Sequence, residues 1–291
     1  MKDEIFEKYR DAGRIASKIL REGAQGIRIG ASYPELVETI EAQVIEQGAA
    51  LAFPLNLSLN EDAAHDTASR DDSRLFRKGD VAKLDLGVQI DGYIADTATT
   101  VDLGTNSLLV QASSAALEAA IKKVRPGATA GELGTAVQAE IEGRGYRPVS
   151  NLTGHGLGQY VLHTSPTIPN IASLGGIRLE EGMVFAIEPF ATTGSGHVSE
   201  KSRTEIYSQL AAKPVRIPSA RRVLEKIHDR NGLPFARRWL GDKKLDIAIP
   251  GLVRSQVLHA YPVLADVAGS LVSQHEHTVI VTSDGCIVTT R

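Results

Sequence analysis

Hydrophobic residues recur at helical spacing over residues 3–22. Ile5, Phe6, Tyr9, Ala12, Ile15, Ala16, Ile19 and Leu20 fall on one face, with charged residues on the other. That stripe predicts an amphipathic helix. A second helix is predicted from Ser32, where Ser32-Tyr33-Pro34-Glu35 combines a capping box with an early proline, and Gly48 is its expected stop. Thr129-Ala130-Gly131-Glu132 opens another helix in the same way, ending near Gly145. In residues 83–101, KLDLGVQIDGYIADTATTV, the period changes from helical to two. There Asp91-Gly92 separates two strand-like runs, a strong hairpin signal because both central residues of a type I′ turn take φ > 0.

The capped helices belong to a longer echo. Gly30-Ala31-Ser32-x-x-Glu35-Leu36 returns 97 residues later as Gly127-Ala128-Thr129-x-x-Glu132-Leu133, and Gly48 and Gly145 keep that offset. Asn56-Leu57-Ser58 returns as Asn151-Leu152-Thr153 at an offset of 95. The stretch from Gly79 to Asp85 (GDVAKLD) resembles that from Gly182 to Glu188 (GMVFAIE), at an offset of 103. These ordered matches predict a duplicated chain. Each half runs helix, capped helix, strand-like loop, then a strand ending in a carboxylate. Two such halves meet along an axis, where ligands from both can converge. Residues 200–262 break the pattern. They read mostly as helix, as an insertion within the second half, and the strands of LVSQHEHTVIVTS and CIVTTR then complete it.

With the hairpin turn at Asp91-Gly92, Ile90 pairs with Tyr93, Gln89 with Ile94, Val88 with Ala95 and Gly87 with Asp96. Asp85, Gly87 and Gln89 then share a face with Ile94 and Asp96. Asp85 is the diagonal neighbour of Asp96, about 7–8 Å away between backbones, and Gly87 is expected to leave the space between the carboxylates open. Such a pair either faces water on an exposed strand or holds something cationic between its members. Leu84, Leu86, Val88, Ile94 and Ala95 suggest a sheet covered on both faces, which favours a metal.

Composition narrows the setting. The 291 residues are 42% hydrophobic and 23% charged, with a formal net charge of −3. This profile is that of an ordinary globular protein, with no global reason to expect nucleic acid or membrane as partner. Length alone allows one large domain or two smaller ones. The single cysteine, Cys286, leaves no internal disulfide. The charged N-terminus MKDEIFEKYRDAGR lacks a signal-peptide core, and no run approaches the ~18 apolar residues of a membrane span. A cytoplasmic protein is expected.

A divalent-ion site needs more donors than two aspartates. NLTGHGLGQYVLH places His155 between glycines and His163 eight residues on. Glu188 ends the apolar run MVFAIEPF, a poor place for an unpaired charge, and Glu276 leads into the apolar strand of SQHEHTVIV. Any one of these alone reads as structural. Together Asp85, Asp96, His155, Glu188 and Glu276 make an oxygen-rich set suited to two divalent ions such as Mn, Fe, Co or Zn.

At these residues the chain resembles the type 2 methionine aminopeptidases, members of the pita-bread metallopeptidase family. The resemblance runs through PLNLSLNEDAAHDT (54–67), residues 83–101, LTGHGLGQYVLH (152–163), FAIEPFATTGSG (185–196), GLPFARRWL (232–240), AYPVL (260–264) and QHEHTVIV (274–281). It thus covers essentially the whole chain. It implies an α+β pita-bread (creatinase/aminopeptidase) fold, with pseudo-two-fold duplicated α/β halves and a curved antiparallel sheet. One catalytic domain would span residues 1–291. The 200–262 helical insertion marks type 2 over type 1, and the short N-terminus resembles the archaeal form.

The resemblance also implies an activity: removal of the initiator methionine from nascent proteins whose second residue is small, using a dinuclear metal centre and a bridging water or hydroxide. Carried over by position, Asp85 would bind one ion, His155 and Glu188 the other, and Asp96 and Glu276 would bridge both. Glu188 would shuttle the proton, His65 would face the substrate near its free N-terminus, and His163 would hold the scissile peptide. Phe53, Tyr261 and Pro234 would line the methionine pocket, with Tyr207 helping to close it. His275 stands where the family more often has an aromatic residue, and reads as packing behind Glu276.

The implied partners are nascent N-termini beginning with Met, and the chain is expected to be a monomer with no membrane partner. From Lys213 to Lys244 there are ten Lys/Arg against three Asp/Glu. This basic stretch reads either as a solvated face or as a ribosome-docking surface that includes Arg221, Arg222 and Arg237. Two other readings compete. A proline-specific pita-bread peptidase usually carries an added N-terminal domain and lacks the insertion. A non-catalytic binding protein on this fold would have lost ligands.

Overall fold

The computed structural model describes residues 1–241 and 243–291. Helix α1 (Asp3–Gly26) buries Tyr9, Ala12, Ile15, Ala16, Ile19 and Leu20, the inner part of the predicted stripe. In α2 (Tyr33–Glu46) the cap forms as expected, Glu35 N donating to Ser32 Oγ at 3.4 Å. Strands β1 (Ala50–Leu51), β2 (Asn56–Leu59), β3 (Asp62–Ala64), β4 (Val81–Ile90) and β5 (Tyr93–Asp102) complete the first half.

The second half opens with α3 (Ser107–Ile121) and α4 (Ala130–Glu142), where Glu132 N donates to Thr129 Oγ1 at 3.3 Å. It continues through β6 (Arg147–Pro148), β7 (Thr153–Gly158), β8 (Val161–Pro169), β9 (Val184–Ile187) and β10 (Phe190–Thr192). The echo in the sequence is an echo in the backbone. Gly30 and Gly127 take φ of 84° and 85°, a region where glycine carries no steric cost. Each donates its N–H at 2.8 Å, to Phe76 O and Leu179 O respectively. Ser32 and Thr129 each form an isolated antiparallel bridge, to Leu75 and Arg178.

The middle segment contains β11 (Ser199–Gln209), α5 (Pro218–Ile227), β12 (Phe235–Ala236), α6 (Lys243–Asp246), α7 (Ile249–Arg254) and β13 (Leu258–Ala265). It is less helical than its sequence suggests. Residues 200–209 and 258–262 are not helix but strand, and they pair with one another, Ile206 opposite Tyr261. The N-terminal part of β11 is solvent-exposed, so its polar run SEKSRT shows no apolar alternation by which a strand could be recognised. Val223, Ile227, Phe235, Leu240 and Leu252 give this segment an apolar cluster of its own. Arginines tie it to the first half: Arg238 forms an ion pair with Glu41 of α2, and Arg230 donates to Leu51 O at 2.7 Å and Ala52 O at 3.0 Å.

Strands β14 (Val272–Gln274), β15 (Glu276–Val281) and β16 (Cys286–Val288) close the chain. The largest sheet runs β1-β4-β5-β15-β9-β7-β8, with β2 on β4 and β16 on β15. β15 lies antiparallel to β5 on one side and β9 on the other, and so joins the halves. The hairpin of β4 and β5 has the predicted register from Ile90–Tyr93 through Gly87–Asp96, and Asp91 and Gly92 take φ of 51° and 85°. Among the described residues no helix is long and apolar enough to cross a membrane.

Candidate metal centre

Five strands or strand ends bring the candidate ligands to one place. Asp85 lies on β4, Asp96 on β5, His155 on β7 and Glu276 at the head of β15, while Glu188 follows β9 directly. All five line a cavity of about 520 Å³, together with His65, His163, Phe53, Pro234 and Tyr261. Apart from Tyr207, the sequence-predicted site residues are therefore in one chamber. Asp96, His155 and Glu276 offer ligand atoms within 4.8 Å of one another, and His155 Nε2 lies 3.3 Å from Glu188 Oε1.

Two expectations need correction. The space beside Gly87 is not open, because a Cβ at that position would lie 2.2 Å from the Phe53 ring. Glycine is required there so that the Phe53 ring can sit against the strand as part of the cavity wall. Tyr207 does not close the pocket. Its ring lies 6.1 Å from that of Phe235, and it belongs to the middle segment's apolar cluster. Alternation along β11 turns its neighbour Ile206 to the cavity instead.

The electrostatics test whether cations fit. Burial pushes the Asp85 carboxyl up to about 7. Asp96 is raised well above its ordinary value by burial and then by Asp85 and Glu188. Burial and Asp85 raise Glu188, and burial with Asp96, Glu188 and Asp85 raises Glu276. Among the described residues neither lysine nor arginine lines the cavity. Asp85 Oδ1, Asp96 Oδ1 and Glu276 Oε1 are buried without a hydrogen-bond partner among those residues. Burial and His163 lower His155 to about 3, so it is a neutral imidazole, the form that ligates metals. Orphaned carboxylate oxygens around a neutral imidazole fit divalent cations.

Because a cation must displace protons from these carboxyls, its binding at pH 7 is expected to release protons, and affinity is expected to rise with pH through that region. Calorimetric titration of Mn²⁺ in buffers of different ionisation enthalpy measures the release, and identical heats in all buffers would contradict it.

The histidines at the mouth are neutral too. Burial brings His65 down to about 4, and burial also lowers His163. His65 Nδ1 lies 3.2 Å from Pro262 O. A carbonyl only accepts, so Nδ1 carries the hydrogen and Nε2 is left as an acceptor. The His163 ring meets His155 edge-on at 4.3 Å.

Other residues support this chamber with little local signal in the sequence. Gln274 Nε2 donates to Asp85 Oδ2 at 3.4 Å and to Glu276 Oε2 at 3.2 Å. Thr278 Oγ1 accepts from Asp96 N at 2.7 Å. His65 has left-handed φ, 65°, and Asp66, the next residue, forms ion pairs with Arg74 and Arg203. The signal for Asp66 was its place within the AAHDT motif. Nothing local marks Arg203, which lies far along the chain. His275 Nδ1 meets Ser113 Oγ at 2.9 Å, outside the residues that line the cavity.

The sequence pattern described as "Metallopeptidase family M24" matches residues 7–283. A methionine aminopeptidase of Archaeoglobus fulgidus is 50% identical over 292 residues, covering 100% of both chains. One from Methanothermobacter thermautotrophicus is 44% identical over 297 residues, covering 99% of each. Among solved structures, a methionine aminopeptidase from Thermotoga maritima superposes with a TM-score of 0.75 at 23% identity, covering 100% of this chain and 98% of the other.

Proposed function

The chain belongs to metallopeptidase family M24, and from that premise we propose that it is a type 2 methionine aminopeptidase. It uses divalent metal, and its pita-bread fold is shared with methionine aminopeptidases and prolidases. The observation that carries the proposal is the convergence of four carboxylates and one neutral imidazole on a cavity that Phe53, Leu162, Ile206 and Pro234 also line. The names and full-length similarity of the archaeal relatives support the same reading.

Two ions would be held, one by Asp85, one by His155 and Glu188, with Asp96 and Glu276 shared between them. When bound, such ions lower the pKa of water and polarise the scissile carbonyl. The chain's own residues do the rest. Glu188 takes the proton from the attacking water and passes it to the leaving amine. His163, neutral and at the mouth, donates to the developing oxyanion. His65 presents an unprotonated Nε2 to the substrate's N–H groups. Phe53, Pro234, Tyr261 and Ile206 enclose the methionine side chain and exclude water from it.

Residues 1–291 act as one catalytic domain, with 200–262 as the insertion of the type 2 enzymes, in a cytoplasmic monomer. Release of methionine from Met-Ala-Ser, but not from a peptide with Lys in second place, is the expected result after loading with Mn or Co. No release with any divalent ion would overturn the assignment.

Ribosome docking through the insertion is supported by Arg216, Arg221, Arg222 and Lys226, which are exposed. Arg237 is less available, since its Nε lies 3.3 Å from Asp246. Reversing the charge of Arg216, Arg221 and Arg222 is expected to abolish low-salt co-sedimentation with ribosomes, and unchanged co-sedimentation would remove the idea.

A further inference from the structure

Asn56 opens β2 and stands directly opposite Asp85 in the antiparallel register of β2 and β4. Opposed residues carry their side chains on one face, with Cβ atoms about 4.5–5.5 Å apart. The carboxamide and the carboxylate therefore share a wall of the catalytic cavity, and both residues line it. Asn56 is 6% exposed. Its Nδ2 donates to Pro54 O at 3.0 Å. Exchanging the amide O and N would set two oxygens against each other, so this bond fixes which way the amide faces. Oδ1 is accordingly turned from the Pro54 carbonyl, and among the described residues it has no hydrogen-bond partner. Asp85 Oδ1 is in the same condition.

A cation answers Asp85, but the buried acceptor on Asn56 still calls for a donor. We propose that Asn56 Oδ1 accepts a hydrogen bond from the free α-amino group of the substrate's first residue. This inference rests on the aminopeptidase reading and extends it. Three properties of the site select that donor. The adjacent Asp85 carboxylate favours a donor with positive character. The apolar wall of Phe53, Ile206 and Tyr261 takes the side chain, so the polar group on the same α-carbon falls at its edge. A free amine brings more than one N–H, enough to serve His65 Nε2 and Asn56 Oδ1 together, whereas a blocked or internal amide brings a single one. Asn56 is thus a substrate-binding residue that helps to confine cleavage to the first peptide bond.

The test compares two probes, L-methionine and 4-(methylthio)butanoate, which differ only in the α-amino group. Their affinities for wild type and for Asn56→Leu are measured by calorimetry at matched Mn loading. The expected result is that Asn56→Leu weakens L-methionine about tenfold or more, the scale of a hydrogen bond to a charged group, and leaves 4-(methylthio)butanoate unchanged. Equal loss for both probes would mean a packing role and overturn the proposal. No loss for either would mean that water serves Oδ1, and would overturn it too, as would failure of wild type to bind L-methionine. Should Asn56→Leu not fold, Asn56→Ser, whose shorter side chain retracts from the gap, is read by the same criteria. The aminopeptidase reading fails separately, on whether wild type releases methionine from Met-Ala-Ser.

Discussion

Glu188→Gln is expected to lower the turnover of Met-Ala-Ser by about 10²–10⁴-fold, the range of a positioned acid–base group, while the melting temperature and circular dichroism stay close to wild type. Glu188 is half-buried in the cavity wall, and its Oε1 lies 3.3 Å from His155 Nε2. Glutamine fills the same volume and can still donate or accept a hydrogen bond. It cannot take a proton from water and hand it on. The variant therefore separates the group's chemistry from its bulk. Single-turnover release of methionine, measured at matched metal content, isolates the chemical step. Near-normal turnover would contradict the role assigned to Glu188.

Asp96→Asn is expected to abolish divalent-metal binding, and with it all activity, as exhaustive chelation of the wild type should. The loss of affinity should exceed the 10–100-fold typical of residues that merely support a ligand, since Asp96 has a buried oxygen with no other partner among the described residues. The same substitution should stabilise the metal-free protein at pH 8. Burial, Asp85 and Glu188 raise the folded-state pKa of Asp96 well above its ordinary 3.8. A raised folded pKa contributes stability that is fully present below the unfolded pKa and is lost as pH rises through the folded one. At pH 8 the chelated wild type therefore carries the cost of ionising this carboxyl, and asparagine does not. Equilibrium dialysis with Mn²⁺ and melting curves of the chelated proteins at pH 5 and pH 8 give both readouts. A variant that keeps wild-type metal content, or melts below chelated wild type at pH 8, would refute the account.

Much of this was legible because the signals were local. Asp91-Gly92 fixes a two-residue turn, the turn fixes the register, and the register puts Asp85 diagonal to Asp96. Ser32 and Thr129 announce their helices through a contact three residues long. What the sequence concealed depends on partners distant in the chain. Gly87 looked like a vacancy because nothing nearby says that Phe53 occupies it. β11 looked unlike a strand because its exposed part carries charges where a buried one would alternate. Tyr207 and Ile206 are adjacent, and a one-residue difference in facing decides which of them lines the cavity. In the sequence Asn56 stands out only as a member of the repeat, because what matters is what its Oδ1 lacks, a property visible only once burial and Pro54 are known.

The position of β15 between the halves bears on how the chain is made. Of the five candidate ligands, Asp85 leaves the ribosome first and Glu276 last, 191 residues later. At about 5–20 residues per second, that interval is on the order of 10–40 s. Throughout it the β5 edge lacks its neighbour, and the Thr97 hydroxyl that will donate to Glu276 O has nothing to meet. An unpaired edge of this kind invites association with other chains, so the growing protein passes through a vulnerable interval before its sheet closes. Competence to cut peptides is then expected only once β15 brings Glu276 to the other four candidate ligands.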